Sequence, residues 1–284
     1  MQARLLPAPR GVFWIAAGFL LYRRNPPLLS LLTFANMLLA LLFSQLQPIG
    51  PFLLVLASPL VIALMANACA AIAAYGPLQV APRMLLSGLR EHARSLVRLG
   101  MVQMVYMVLV VFIVDRLLPG IDPAVLASAR EAADAAEKGA GPAVALDPAE
   151  LGKLVLHLGA IGLAVLPAFW FAPLLTAWHG VAPLKAVFFS LVAVWRNWRA
   201  FLVYAVAAAT IAVLAPALLL ALFSLVSGTL GGIAATVLQL LVLLVFAPVL
   251  TTGAYCSYRD IFAPADAPSG AADPDSSDGL SADE

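Results

Sequence analysis

Charge is scarce in this sequence. Only 11% of its 284 residues are charged and 63% are hydrophobic, whereas a soluble domain carries roughly 25% charged residues. A chain this apolar would expose a large hydrophobic surface to water, so we expect lipid to be its solvent. The sequence also has no basic block of the kind that binds nucleic acid, which argues against a nucleic-acid partner.

Residues that carry chemistry are scarce as well. There are two cysteines, Cys69 and Cys256, each inside an apolar stretch, and three histidines in or beside different elements. The cysteines are typical of small buried hydrophobic residues. The sequence contains no glycine-rich phosphate loop, zinc-binding helix motif, nucleophile elbow or cysteine pair at metal spacing. The prediction is therefore a non-enzymatic protein without a cofactor or a metal site.

Long hydrophobic runs dominate the sequence instead. A helix needs about 20 mostly apolar residues to cross a bilayer, and we expect six spans, at about 27–46, 52–75, 96–118, 154–178, 200–222 and 232–255. Three other segments, 11–22, 76–95 and 183–195, combine apolar with aromatic or basic residues, which is typical of amphipathic interfacial helices. In the first of them Trp14 and Tyr22 are expected at headgroup depth. The expected fold is an all-α polytopic transmembrane helix bundle, a single membrane domain over residues 1–262.

Two polar segments are expected outside the membrane. Residues 119–150 are polar, acidic and rich in alanine, and we interpret them as an outer loop. Residues 263–284 are rich in Asp, Ser, Ala, Pro and Gly. They cannot bury enough apolar area to offset the entropy of ordering, so a disordered acidic tail is predicted.

The distribution of Lys and Arg predicts the orientation. With six spans, twelve of the 16 basic residues fall on one side of the membrane, and the outer loop lies on the other. Loops rich in Lys and Arg remain in the cytoplasm. Both the N- and the C-terminus are therefore predicted to be cytoplasmic.

A threefold internal repeat of helix-hairpin units is also indicated. Each unit would contain an interfacial helix, a basic turn, an outward span and a returning span with a proline. These prolines are Pro59, Pro173 and Pro248. A proline frees a backbone carbonyl of its helix, and in lipid neighbouring helices must satisfy that carbonyl.

Arginine and aromatic residues meet in the turns before two of the outward spans. One interpretation is anchoring, through charge asymmetry and an aromatic belt. The other is a headgroup site, in which guanidinium groups bind lipid phosphates. The candidate headgroup contacts are Arg23, Arg24, Arg196, Trp198 and Arg199.

Polar residues inside the spans are the second candidate site. A shared polar path would be lined by Asn36, Asn67, Gln103, His157 and Gln239, whereas interhelical hydrogen bonding is the ordinary role of such side chains. Lys153 precedes His157 by one helical turn. The two form either a small proton- or anion-handling patch or a lysine that extends to the interface beside a hydrogen-bonded histidine.

Parts of the sequence resemble an uncharacterised family of proteobacterial six-span inner-membrane proteins. The resemblance lies in four blocks: Phe169-Trp170-Phe171-Ala172, Ala177-Trp178-His179-Gly180, residues 195–201 and Ser257-Tyr258-Arg259-Asp260-Ile261-Phe262. More distantly, the layout is similar to the membrane-anchor domain that accompanies some glycerophosphodiester phosphodiesterases, but the phosphodiesterase catalytic domain is absent. The resemblance implies a fold and a location in the bacterial inner (plasma) membrane, and it supplies no catalytic residues.

Together these features predict an integral inner-membrane protein of unknown activity that acts through lipid or protein contacts. Its partners would be membrane lipids, with another membrane protein or a second copy of the chain as further candidates. The alternative is a transporter or channel for a small solute or a lipid.

Overall fold

The computed structural model describes residues 3–76, 80–118, 120, 127, 148–211, 218, 237–238 and 241–262. Within these ranges the regular structure is helical. A short π-helical segment, Val242–Phe246, leads into the last helix. The α-helices are α1 Arg10–Tyr22, α2 Pro26–Ser44, α3 Gly50–Tyr75, α4 Pro82–Leu85, α5 Ala93–Leu117, α6 Pro148–Phe169, α7 Ala172–His179, α8 Pro183–Arg196, α9 Trp198–Ala209 and α10 Ala247–Phe262.

Four of the described helical units are long and apolar enough to cross a membrane. They are α2, α3, α5 and the α6–α7 unit from Gly152 to His179, and there are five if α8 and α9 together form one broken span. The predicted spans 27–46, 52–75 and 96–118 match α2, α3 and α5 to within three residues at each end.

The other parts of the predicted topology are described only in part. The spans expected at 200–222 and 232–255 are described to residue 211 and mainly from residue 241. Six spans and the threefold repeat therefore stay predictions. Most of the outer loop and the whole acidic tail lie outside the described residues.

The interfacial helix predicted at 76–95 is wrong. Between Val80 and His92 only the four residues of α4 are helical, and turns follow them. The side chain of Asn67 donates to the carbonyls of Leu85 at 2.8 Å and Ser87 at 2.7 Å. Gly88 then adopts a φ of +70°, which favours glycine over other residues. The amphipathic pattern therefore belongs to a loop folded onto the bundle. In this loop the Asn67 side chain, rather than backbone amides of a helix, donates to the carbonyls.

The span predicted at 154–178 is broken into α6 and α7. The amide of Phe171 donates to the hydroxyl of Ser190 at 2.9 Å, and that hydroxyl donates to the carbonyl of Pro167 at 2.8 Å. A side chain inserted into the ladder of helix hydrogen bonds bends the helix. Both backbone groups remain paired at the bend, as an apolar environment requires.

The expectation about freed carbonyls holds at Pro248 but not at Pro59, where the carbonyl of Val55 accepts from the hydroxyl of Ser58 in the same helix at 2.8 Å. Because proline has no amide hydrogen, the carbonyl of Leu244 has no donor within its own helix. Ser30 of α2 donates to it at 2.8 Å, and the Tyr22 hydroxyl at the end of α1 donates at 3.2 Å. Two neighbouring helices thus satisfy the backbone at this kink.

One face of helix α1 packs along α10, and the other face is exposed, with Val12, Phe13, Phe19 and Leu20 at the surface. The hydroxyl of Thr252 donates to the carbonyl of Gly18 at 2.9 Å. A Cβ on Gly18 would stand 2.7 Å from the backbone nitrogen of Gly253, so glycine permits this close crossing. Trp14 and Tyr22, expected at headgroup depth, have their side chains buried between helices.

The crossing at Gly18 gives a testable prediction. Replacing Gly18→Ala forces the backbones of α1 and α10 apart, so we expect the free energy of unfolding to fall by about 1–3 kcal/mol. The measurement is the thermal unfolding midpoint of the purified protein in mild detergent. The matched control is Gly159→Ala in α6, where a Cβ meets nothing within 4 Å. That variant should unfold at or above the wild-type temperature, and equal midpoints for the two variants would contradict the crossing.

Candidate functional site

The N-terminal segment, the α8–α9 junction and the end of α10 meet at Asn197. The Asn197 side chain is 1% exposed. It accepts from the amide of Leu6 at 2.8 Å and donates to the carbonyl of Arg4 at 2.9 Å. The amide of Arg4 in turn donates to the carbonyl of Ile261 at 3.0 Å. The two ends of the described chain therefore lie on the same face of the bundle, as the predicted topology requires.

A partly buried ion pair lies next to this junction. Asp260 of α10 accepts from Nε of Arg10 at 2.8 Å and from Nε1 of Trp14 at 2.9 Å, and its second oxygen accepts from Nη2 of Arg10. The Asp260 side chain is 13% exposed, and Trp14 is completely buried. The hydrogen bond with Asp260 raises the pKa of Arg10 above its ordinary value. Two of the guanidinium nitrogens are occupied by Asp260.

The chain turns sharply at Asn197. Helices α8 and α9 meet there at 82°. If α9 crosses the membrane, α8 lies close to the membrane plane. An angle of this size is expected where an interfacial helix joins a span.

Helix α8 presents an apolar stripe on its outer surface. The stripe repeats at the four-, three- and four-residue spacing of one helix face. Its members are exposed by between 39% and 76%: Leu184, Phe188, Leu191 and Trp195. The opposite face is buried against the bundle and consists of small or short residues: Ala186, Ser190, Ala193 and Val194. Since exposed apolar stripes are unfavourable in water, the stripe is suited to lipid acyl chains or to a partner protein.

Three exposed arginines surround the buried Asn197. Arg196 ends α8 and Arg199 lies in the first turn of α9. Arg4 is brought beside them because its carbonyl binds the Asn197 side chain. The guanidinium carbon of Arg199 lies 5.5 Å from the ring centroid of the exposed Trp198. We call Arg4, Trp195, Arg196, Asn197, Trp198 and Arg199 the Asn197 corner.

The corner has unneutralised positive charge. Arg10 forms an ion pair with Asp260, whereas no described carboxylate pairs with Arg4, Arg196 or Arg199. Sequence reasoning found Arg196, Trp198 and Arg199 but missed Arg4. The linear sequence gives no indication of Arg4, because the N-terminal segment is bound by Asn197, which lies 191 positions after Leu6.

The five predicted headgroup contacts form two separate groups. Gly11, near the start of α1, lies against the backbone of Ala200 in α9. Arg23 and Arg24 follow the other end of α1, and Arg23 is about 18 Å from Gly11 at 1.5 Å per helical residue. They are exposed, and the guanidinium of Arg23 lies over the ring of Phe19.

The residues of the predicted polar path make separate contacts. Asn36 is exposed on α2. Asn67 is buried, and it accepts from the Trp178 indole at 2.6 Å as well as holding the loop after α4. Gln103 of α5 accepts from the hydroxyl of Ser58 in α3 at 3.0 Å. The described contacts bring no two of these residues together, Gln239 lies outside the described residues, and the shared path stays a prediction.

His157 is buried within α6. Its Nδ1 lies 2.8 Å from the carbonyl of Lys153, one turn earlier. Its Nε2 has no hydrogen-bond partner in the described part of the chain. A proton- or anion-handling role for the pair therefore stays a prediction.

The four blocks that carry the family resemblance pack into one aromatic cluster. Phe171 contacts Phe201 and Tyr258, with ring centroids 5.9 Å apart in each pair. Trp178 lies 5.1 Å from Tyr258, and the hydroxyl of Tyr258 is 2.7 Å from Nε2 of His179. These residues, which are far apart in the sequence, therefore hold α7, α9 and α10 together beside the Asn197 corner.

The apolar helices define a multi-pass α-helical membrane protein. A probable inner membrane protein of Burkholderia thailandensis is 34% identical to the chain over 202 residues, which cover 69% of this chain and 71% of that protein. The chain belongs to the family of this Burkholderia protein. No family model and no solved structure matches the chain.

The Arg10–Asp260 pair gives a second prediction. Replacing Asp260→Asn removes the charge and places an amide group against donors, so the buried Trp14 and Arg10 lose acceptors. We expect the free energy of unfolding to fall by about 2 kcal/mol. Thermal unfolding followed by tryptophan fluorescence measures it. Asp115→Asn, at an exposed position on α5, is the matched control and should leave the midpoint unchanged. An unaltered midpoint in the Asp260 variant would show that the pair does not hold α1 in place.

Proposed function

We propose that this protein is a non-enzymatic inner-membrane protein that binds anionic phospholipid at the Asn197 corner. The corner faces the cytoplasm, and the phosphate group of the lipid binds the guanidinium groups of Arg196 and Arg199. The single observation that carries the proposal is the set of unneutralised, exposed arginines around one buried asparagine, next to an exposed apolar stripe.

The geometry of α8 supports a lipid partner. An interfacial helix places its apolar face at the acyl boundary and its charged groups among the headgroups. The stripe from Leu184 to Trp195 supplies that apolar face, and Arg196 follows it directly. Guanidinium groups match phosphate oxygens with paired hydrogen bonds, which makes arginine well suited to this role.

The proposed location rests on the similar Burkholderia protein, and the proposed orientation rests on the distribution of positive charge. The Burkholderia protein is named as an inner membrane protein. The described ends of this chain share a face with the Asn197 corner. The exposed Arg4, Arg196 and Arg199 on this face support a cytoplasmic location under the positive-inside rule.

Other readings of the sequence stay predictions. Anchoring by the arginine and aromatic residues requires no specific lipid. It therefore predicts no selective retention of anionic phospholipid, whereas the proposal predicts that retention. A transporter or channel would need the polar residues of the spans to share a cavity. A partner protein, a second copy of the chain and the likeness to the phosphodiesterase anchor domain are likewise untested.

The lipid proposal predicts the effect of removing two charges. Replacing Arg196→Gln and Arg199→Gln together should lower the anionic phospholipid that co-purifies with the protein by about tenfold, since charged hydrogen bonds contribute roughly 1.5–3 kcal/mol. Both side chains are exposed, so the thermal midpoint should stay unchanged. Mass spectrometry of extracted lipid, normalised to protein, is the measurement.

A matched variant separates a specific site from general charge. Arg90→Gln with Arg94→Gln removes the same charge from two exposed positions near the start of α5. This control should retain anionic lipid like the wild type. If both double variants lose lipid equally, the arginines act as unspecific charge and the corner is not a site.

Orientation is testable by labelling. Introduced cysteines at Ser128→Cys in the outer loop and Ser281→Cys in the tail should differ in access to a membrane-impermeant maleimide. In spheroplasts only the loop cysteine should react, and both should react after the membrane is opened. Labelling of the tail cysteine in intact spheroplasts would reverse the proposed orientation.

A further inference from the structure

We infer that the acidic tail, residues 263–284, is an intramolecular occupant of the Asn197 corner and competes there with anionic lipid. The inference rests on the proposed function and adds a regulator to the same site. The tail contains six acidic residues and no basic one: Asp266, Asp273, Asp275, Asp278, Asp283 and Glu284.

Charge complementarity is the first argument. Arg4, Arg196 and Arg199 are exposed and have no carboxylate partner among the described residues. Asp260, the described acid beside them, is already bound by Arg10 and Trp14. Three cations around one buried asparagine therefore attract any polyanion that reaches them. Such a cluster also attracts the phosphate of an anionic phospholipid, and the tail is a segment with six carboxylates.

The position of the tail is the second argument. It follows Phe262, and the neighbouring Ile261 accepts a hydrogen bond from the amide of Arg4 at 3.0 Å. Arg4 in turn accepts from Asn197 at 2.9 Å. Two hydrogen bonds thus connect the last described turn of α10 to the centre of the corner. The tail begins on the face where the unneutralised arginines lie.

The length of the tail allows the contact. A fully extended chain spans at most about 3.6 Å per residue, so Asp266 can lie up to about 14 Å from Phe262 and Asp273 up to about 40 Å. Tethering over such a length gives an effective concentration on the order of millimolar. Exposed ion pairs are individually weak and are screened by salt. The tail should therefore exchange with lipid rather than close the site permanently.

The test compares full-length chains that differ only in charge. In the neutral-tail variant the five tail aspartates become Asn and Glu284→Gln. Reconstitution into nanodiscs with one phosphatidylglycerol in ten lipids, followed by mass spectrometry of retained lipid, measures apparent affinity. We expect the neutral-tail variant to bind phosphatidylglycerol about three- to tenfold more tightly than the wild type at low salt. The difference should vanish at about 0.5 M salt, where the Debye length is only a few ångströms.

A neutral-loop variant provides the matched control. The outer loop also contains six acids, Asp122, Glu131, Asp134, Glu137, Asp147 and Glu150, and their neutralisation changes net charge equally. This variant should bind lipid like the wild type. An equal gain in both variants, or no gain in the neutral-tail variant, overturns the inference. A gain that persists when Arg196→Gln and Arg199→Gln are added also overturns it, because the tail would then act elsewhere.

The two proposals fail differently. If the Arg196 and Arg199 substitutions lower lipid binding in the otherwise unchanged chain while tail neutralisation has no effect, lipid binding stands and the tail inference falls. If those arginine substitutions leave lipid binding unchanged, the proposed function itself falls, and the tail has no ligand to displace.

Discussion

The pairing of the buried Asn197 side chain is the interaction on which the described architecture most depends. A buried carboxamide is costly unless both its oxygen and its nitrogen find partners. Here the oxygen accepts from Leu6, while the nitrogen donates to Arg4 and to Ala193 within α8. These bonds tie the N-terminal segment to the α8–α9 junction. The bend between α8 and α9 and the approach of Arg4 to Arg196 and Arg199 both lie at this one side chain.

The same constraint explains which charges remain available for function. Asp260 satisfies Arg10 and Trp14, and Ser190 bridges the break in the fourth predicted span. These polar groups near the apolar interior thus have defined structural partners. Arg4, Arg196 and Arg199 differ, since the fold holds their backbone in place and leaves their side chains at the surface. Binding at the corner would therefore require little reorganisation of the backbone.

Sequence reasoning recovered what periodicity and length determine. The bounds of α2, α3 and α5 follow from hydrophobic runs closed by prolines and turns. The prediction of a helix over residues 76–95 was wrong, because an amphipathic pattern alone does not distinguish a surface helix from a loop. In this loop the Asn67 side chain donates to two backbone carbonyls. Sequence reasoning also missed Arg4, whose role depends on a contact with a residue nearly 200 positions away. Arg23 and Arg196 share a local pattern, yet only the packing of α1 shows that they lie near opposite ends of that helix.

The most direct test of this account is a native mass spectrum of the unmodified protein, released from its own membrane with minimal detergent. If the Asn197 corner binds lipid specifically, the spectrum should contain a reproducible population with the added mass of an anionic phospholipid, which persists as detergent is increased and disappears at high salt. A protein that carries only heterogeneous lipid, lost together with the detergent, would contradict a specific headgroup site at the Asn197 corner.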